Sequence, residues 1–286
     1  MGDRVTGLAV GLDKRANRAS EGGFQVYTVL KAGLTCTIPH SMPYENACVL
    51  GLGLGTAACG LFQKDFLALP FPTVSPTPSG ETLLVWGGST SVGCNAIQLA
   101  VAAGYEVIST ASPKNHAYLK KLGATKVFDY NSPTVVADII SAFKNRMTAG
   151  AISIGKGSFT KCVEILGACK GNKFIAQATM DTPESGFPKG ALDFPPFMLR
   201  FAYTMISGTV KARRNGVSYK MIYGFELAAN EVGKAIFEDF LPCALAEGKF
   251  VPAPEPQVVG KGLAKVQEAM EISKKGVSAK KIVVSL

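Results

Sequence analysis

Three hydroxyl residues set between glycines, Gly88-Ser89-Thr90-Ser91-Val92-Gly93, form the part of this chain best equipped for ligand chemistry. They follow the apolar run Thr82–Gly87 and precede a segment with helical spacing. A dinucleotide-binding turn reads G-x-G-x-x-G between a strand and a helix; here the first and third glycines are present and Thr90 stands at the middle one. That middle glycine lets backbone approach a pyrophosphate closely, so a side chain there displaces the phosphates outward. The hydroxyls of Ser89, Thr90 and Ser91 could compensate by donating to phosphate oxygens, and a helix N-terminus adds N–H groups and a favourable dipole. The same residues also suit a capped strand–helix turn that holds no ligand.

The next strand separates the readings. A carboxylate roughly 20 residues past the turn would bind the ribose 2′-hydroxyl of NAD. In its place stands Ser109-Thr110-Ala111-Ser112-Pro113-Lys114-Asn115, with hydroxyls, an amide and an ammonium but no acid. Such a set suits a 2′-phosphate, which a carboxylate would repel, so the nicotinamide cofactor these residues imply is NADPH. The alternative makes Ser112 a helix cap before Pro113 and Lys114 a solvated first-turn residue.

The elements that would hold these residues follow a regular pattern from residue 82 onward. Strands are expected over 82–87, 105–110, 125–130, 151–155 and 173–179. Helices are expected over 91–104, 113–122, 133–144 and 158–169 between them. Strands alternating with helices of this length imply βαβ units and a parallel sheet, and right-handed crossovers make it a doubly wound Rossmann sheet of the α/β class. Before it, Val5–Val10 and Phe24–Val29 read as strands and 43–68 as helix, with Pro43 in a first turn and Ser41 as its cap. The four prolines of 70–80 mark a loop. After it, 181–226 reads as irregular, 230–247 as a helix stopped by Gly248, 252–256 as a Pro-rich loop, 263–274 as a short helix and 281–286 as a closing strand. The two N-terminal strands cannot make a stable sheet alone. They and the closing strand are therefore assigned to a second, partial β-rich substrate domain built from both chain ends. The expected division is 1–50 for the partial substrate (catalytic) domain, 51–245 for the NADP-binding domain and 246–286 for the return.

Composition narrows the function classes. Of 286 residues, 47% are hydrophobic and 18% charged, a folded rather than disordered balance. The net charge of +9 could signal a polyanionic partner, but the cations are scattered and their tightest group is Lys211, Arg213 and Arg214, so no nucleic acid is expected. The longest apolar run, 47–62, is short for a bilayer and holds four glycines, so no membrane is expected. Seven cysteines without a CxxC pair argue against a zinc ribbon, and reduced thiols point to the cytoplasm. His40 and His116 are the only histidines, too few for a catalytic zinc site with imidazole ligands, and no metal is expected. The order of Gly87-Gly88-Ser89-Thr90-Ser91 lacks the final glycine of a serine-hydrolase elbow.

Taken together, VWGGSTSVG, AIQLA, AGYEVISTASPKN and LGATKVFDY resemble the cofactor domain of the medium-chain dehydrogenase/reductase superfamily. They are most similar to its zinc-independent fungal quinone-reductase-like and enoyl-reductase-like members. GDRVTGLA near the start, TAACGLF at 56–62 and GVSAKKIVVSL at the end extend the likeness, which is looser over 181–226. The resemblance implies that Ser89, Thr90, Ser91 and Val92 bind the pyrophosphate. It implies that Ser112, Lys114 and Asn115 meet the adenosine 2′-phosphate with Tyr130 packed nearby. Thr56 would lie on the nicotinamide side, and Val277 and Ser278 in a stretch returning to the cleft. In the family the substrate domain begins well before the GDRV motif, which here follows Met1, so part of that domain is expected to be missing.

The expected activity is hydride transfer from NADPH to an α,β-unsaturated carbonyl, quinone or enoyl substrate, a small molecule, without zinc. Tyr27 is a candidate proton donor only through its strand, and no catalytic residue is assigned. The alternative is a shortened, catalytically impaired nucleotide-binding protein or a partner of a synthase. A homodimer or a polyketide-synthase partner is the association the family implies.

Overall fold

The computed structural model describes residues 2–182, 188 and 190–286. Part of the 181–226 segment, residues 183–187 and 189, lies outside the described residues. The first elements are β1 (Val5–Gly7), β2 (Thr35–Thr37), the short α1 (Tyr44–Ala47) and α2 (Gly51–Phe62). The alternating section runs β3 (Glu81–Trp86), α3 (Ser91–Ala102), β4 (Glu106–Thr110), α4 (His116–Lys121), β5 (Lys126–Phe128), α5 (Val135–Ala142), β6 (Met147–Ser153), α6 (Ser158–Ala168), β7 (Lys170–Gly171) and β8 (Phe174–Gln177). Then come α7 (Phe194–Arg214), β9 (Ser218–Met221), α8 (Glu231–Lys234), α9 (Leu241–Ala246), β10 (Glu255–Lys261), α10 (Val266–Lys275) and β11 (Lys280–Ser285).

The central sheet has the order β5-β4-β3-β6-β8-β9, with β7 beside β6, and every pairing in it is parallel. Its middle strands are apolar along their length because helices cover both faces. Alternation divides the core accordingly. Leu83, Val85 and Val107 face α2 and α3, while Leu84, Trp86 and Ile108 face α5 and α6. This is the expected doubly wound α/β fold. Strand order reverses between β3 and β6, and ligands of such sheets sit in the crevice outside the carboxyl ends at that point. The stretch Tyr44–Phe62 is long and apolar enough to pass as a membrane span, but most of it is buried in this core.

Several expected elements differ. Phe24–Val29 is not a strand: Gln25 and Thr28 side chains bond back to the carbonyls of Ala19, Ser20 and Gly22, curling the segment. β1 is shorter than expected and pairs antiparallel with Thr35–Thr37. Ser41 does not cap; the first turn begins at Pro43 with no side-chain cap. The fourth strand of the alternation spans Met147–Ser153, beginning earlier than expected, and lies centrally beside β3. The 181–226 region contains the 21-residue α7, whose first turn holds Pro195 and Pro196, positions where a missing N–H costs nothing. The 230–247 helix is widened into a π-helical turn over Ala235–Phe240, just before Pro242, whose ring cannot donate to the ladder. The Pro-rich loop gives way at Glu255 to β10, which pairs in parallel with β11. The chain ends thus form two separate two-stranded ribbons rather than one continuous sheet.

Candidate functional site

The turn between β3 and α3 is fixed by its own backbone. The Gly87 N–H donates to the Thr110 hydroxyl (3.0 Å) and the Gly88 N–H to the Thr110 carbonyl (2.9 Å), pinning the turn to the end of β4. Gly93 is a close-approach position: a Cβ there would run into the Gly87 carbonyl and the Gly88 backbone. Gly53 on α2 has the same role from the other side, since a Cβ would strike Ser91.

Thr90 takes a different part from the one its hydroxyl suggested. It is the N-cap of α3: its Oγ1 accepts the Gly93 N–H (3.0 Å) and donates its proton to the Gly87 carbonyl (2.8 Å). With that proton committed, Thr90 cannot also donate it to a phosphate, and the hydroxyl protons left for a phosphate are those of Ser89 and Ser91. The residue replacing the middle glycine therefore stabilises the helix start. The first N–H groups of α3 remain as donors at the positive end of a 12-residue helix.

A cavity of about 560 Å³ opens in front of this turn. Ser89, Thr90, Ser91, Ser112, Lys114, Tyr130, Val277 and Ser278 all line it. The structure thus brings together eight of the residues singled out in the sequence, from four distant segments. Ser112 Oγ and Tyr130 Oη are 3.1 Å apart. Ser112 makes no side-chain cap for the following helical turn, so its hydroxyl stays directed at this pair. Lys114 is exposed on the rim. Asn115 is buried and acts from behind the wall, its Nδ2 donating to Ser278 Oγ (3.0 Å) and tying the C-terminal stretch to β4's exit. Gly88 and Gly93 are buried in the turn, and Val92 packs against the core.

Thr56 is not brought to this cavity. It lies on α2 against Gly224, and its hydroxyl donates to the Leu52 carbonyl (2.8 Å). Tyr27 is 89% exposed in the curled segment. His116 has Nε2 3.0 Å from the Ala111 carbonyl and His40 is exposed. Among the described residues no three His, Cys, Asp or Glu side chains gather as a metal site.

Sequence reasoning missed four contributors. Ser273 and Lys280 line the cavity from α10 and β11. Lys281 reaches the turn itself, its Nζ donating to Ser91 Oγ at 3.3 Å, and burial pushes its pKa down. Lys161 on α6 donates to the Tyr130 carbonyl (3.2 Å) while resting 5.3 Å from the Trp86 ring centre. The paired lysines at 280–281 were visible as charge, but 190 residues separate Ser91 from Lys281 in sequence. Beyond Ser91 a second hollow of about 460 Å³ continues under α10, walled by Leu263, Val266, Met270, Ile282 and Val284. Across the sheet's switch point, the turn after β6 is held by Gly155 N–H to Thr179 Oγ1 (3.1 Å) and Gly157 N–H to Asp181 Oδ1 (2.8 Å).

A sequence profile of the family described as zinc-binding dehydrogenase matches residues 91–213. Dehydrogenase pigH of Monascus ruber is 53% identical over 288 residues, an alignment covering 100% of this chain and 77% of that protein. Trans-enoyl reductase himH of Aspergillus japonicus is 36% identical over 286 residues, covering 100% of this chain and 75% of that protein. A solved NAD-dependent alcohol dehydrogenase shares the fold, with a TM-score of 0.67 at 19% identity over 100% of this chain and 76% of that one.

Proposed function

Because the chain belongs to the medium-chain dehydrogenase/reductase superfamily, whose members are oxidoreductases, we propose that it transfers hydride from NADPH, without zinc, to a carbon–carbon double bond conjugated with a carbonyl. The observation that carries the cofactor reading is the wall of the cavity. Two hydroxyls and an ammonium, from Ser112, Tyr130 and Lys114, converge where, among the described residues, no carboxylate lines the surface. A 2′-phosphate would find charge-assisted donors there, and nothing at that wall repels it. The residues at the turn fit the rest of such a cofactor. The α3 N-terminus, Ser89 and Ser91 would hold the pyrophosphate, and the Asn115–Ser278 bond would keep the C-terminal stretch closed over it.

The bound cofactor supplies a hydride and this chain supplies its placement, which is the larger part of catalysis when no covalent chemistry falls to the protein. The apolar hollow beyond Ser91 offers dry surface for the hydrocarbon part of a substrate. The trans-enoyl reductase himH among the relatives favours an enoyl group. A hydride from the bound cofactor would add to the β-carbon of the alkene, and the α-carbon would take its proton from solvent water, Tyr27 standing far out in solvent. The proposal of a zinc-free reaction rests on the donor set: His116 is engaged at Ala111 and His40 faces solvent.

The test is a steady-state assay on a panel of enones and enoyl thioesters with each nicotinamide cofactor, repeated on Lys114→Glu. The wild-type chain is expected to consume NADPH only with substrate present. The variant is expected to raise the KM for NADPH by roughly 10–100-fold, as loss of a charge-assisted contact and gain of repulsion require, with little change for NADH. Equal losses for both cofactors would remove Lys114 from the 2′-phosphate role.

A further inference from the structure

We propose that the hollow under α10 is a binding site for an aliphatic carboxylate, with the hydrocarbon tail between α10 and β11 and the acid group at the Lys281 ammonium. The two walls are apolar by their periods. Val266, Ala269, Met270 and Ser273 recur at the three- and four-residue spacing of one helix face, and Ile282 and Val284 come from alternate positions of β11. These surfaces face each other without closing. On α10 only Ala269 is buried and Met270 is 54% exposed, while the one buried side chain of β11, Val283, belongs to the strand's other face. Gly23 and Phe24 line a further side. The space, about 460 Å³, falls within the roughly 300–1,000 Å³ of small-molecule sites. A hydrocarbon tail placed there removes apolar wall from water.

Charge selects the head group. Among the described residues no acidic side chain lines the hollow, whereas two lysines do. Lys280 is already paired with Glu255. Lys281 is not paired with an acid: it reaches from β11 to the start of α3, where its hydrogen bond is to Ser91 Oγ at 3.3 Å, and Ser91 lines the hollow too. An ammonium carries three donors, so two are left over on a half-buried side chain. A charge taken from water without a counter-ion is costly, and burial accordingly pushes the Lys281 pKa down. A carboxylate at this end of the hollow accepts from both remaining protons with its two oxygens and balances the charge.

The site goes beyond hydride transfer and borders it. Ser91, Ser273, Val277 and Lys280 line both the hollow and the cofactor cavity. A saturated acid seated there covers the dry surface assigned above to the hydrocarbon part of a substrate, and it cannot accept hydride. It therefore competes with the substrate. That consequence rests on the proposed reaction; the binding itself does not.

Calorimetric titration of the cofactor-free chain with octanoate, octan-1-ol and acetate tests the proposal. Octanoate is expected to bind at least roughly tenfold more tightly than the alcohol, which lacks the charge, and than acetate, which lacks the tail. Lys281→Met should bring the acid down to the affinity of the alcohol, and Lys281→Arg should keep the preference. Met270→Glu, at an exposed position that leaves circular dichroism and melting temperature unchanged, should weaken acid and alcohol alike. With NADPH and an enone, octanoate should raise the KM of the enone and leave kcat unaltered. A parent chain that binds octanoate but reduces no enone would keep this site and remove the reductase reading. Equal affinity for octanoate and octan-1-ol, acetate binding as tight as octanoate, no binding of any of the three, or a preference for the acid that survives Lys281→Met would overturn the site. So would octanoate binding indifferent to Met270→Glu, which would move the tail out of the hollow.

Discussion

The parallel sheet and the two ribbons at the chain ends are built on opposite economies. In the sheet, β3 lies between β4 and β6, and the side chains from Thr82 to Trp86 are all buried. In the C-terminal ribbon, β10 has one partner and no buried side chain, and β11 buries only Val283. The cavity uses both: its fixed wall is the turn and the end of β4, and its other wall is the loop between α10 and β11. The difference teaches how the site divides its work. In the proposed reading the rigid half would set where phosphates lie and the lightly held half would cover them; the two halves are connected through Asn115 to Ser278 and Lys281 to Ser91.

That contrast is open to direct measurement. Leu84→Ala empties a fully buried position and is expected to cost about 3 kcal/mol. The matching truncation in the ribbon, Val258→Ala, is expected to cost less than about 0.5 kcal/mol, because Val258 is 49% exposed. Chemical denaturation of both variants checks the pair. Comparable losses would mean the ribbon is as tightly integrated as the sheet.

Acid provides the next test, at the other chain end. Asp13 accepts from Arg15 through both carboxylate oxygens, and that guanidinium holds its pKa at about 2, below the usual carboxylate range. Arg15 also donates to the Phe225 carbonyl at 2.9 Å, so the pair anchors the N-terminal loop to the body. A depressed folded pKa gives stability that is complete above the unfolded value near 4 and is lost as pH falls toward 2. Asp13→Asn should therefore lower stability at pH 7 and flatten the acid limb between about pH 4 and 2. An unaltered acid limb would show that the pair is not an anchor.

A more modest loss falls on the cap. Thr90→Ala should cost about 1 kcal/mol, while Thr90→Ser keeps the oxygen and should cost less. If the Thr90 hydroxyl bound phosphate directly, the alanine variant would lose cofactor affinity out of proportion to its stability.

The same contrast explains what could be read from sequence. The alternation from Thr82 to Gln177 was legible because each buried strand is a continuous apolar run between helices of ordinary length. The phosphate turn and the acid-free end of β4 were legible as local spacing. α7 was not, because an apolar pattern on two faces lacks the one-sided period of a surface helix and opens on two prolines. β10 was hidden by Pro256, which an edge strand with one neighbour tolerates. The strand expected at Phe24–Val29 had the right residue types, but its Gln25 and Thr28 side chains bond back to nearby carbonyls and curl it, and β-propensity follows context. Thr90's role and Lys281's reach depend on hydroxyl geometry and on contacts across the whole chain, which spacing does not encode.

Direct calorimetric titration of the 286-residue chain with NADPH and with NADH tests the central claim most simply. The site predicts NADPH binding at least roughly tenfold tighter, a difference of about 1.4 kcal/mol that one charge-assisted phosphate contact readily provides. Equal affinity for the two, or no heat from either, would contradict it.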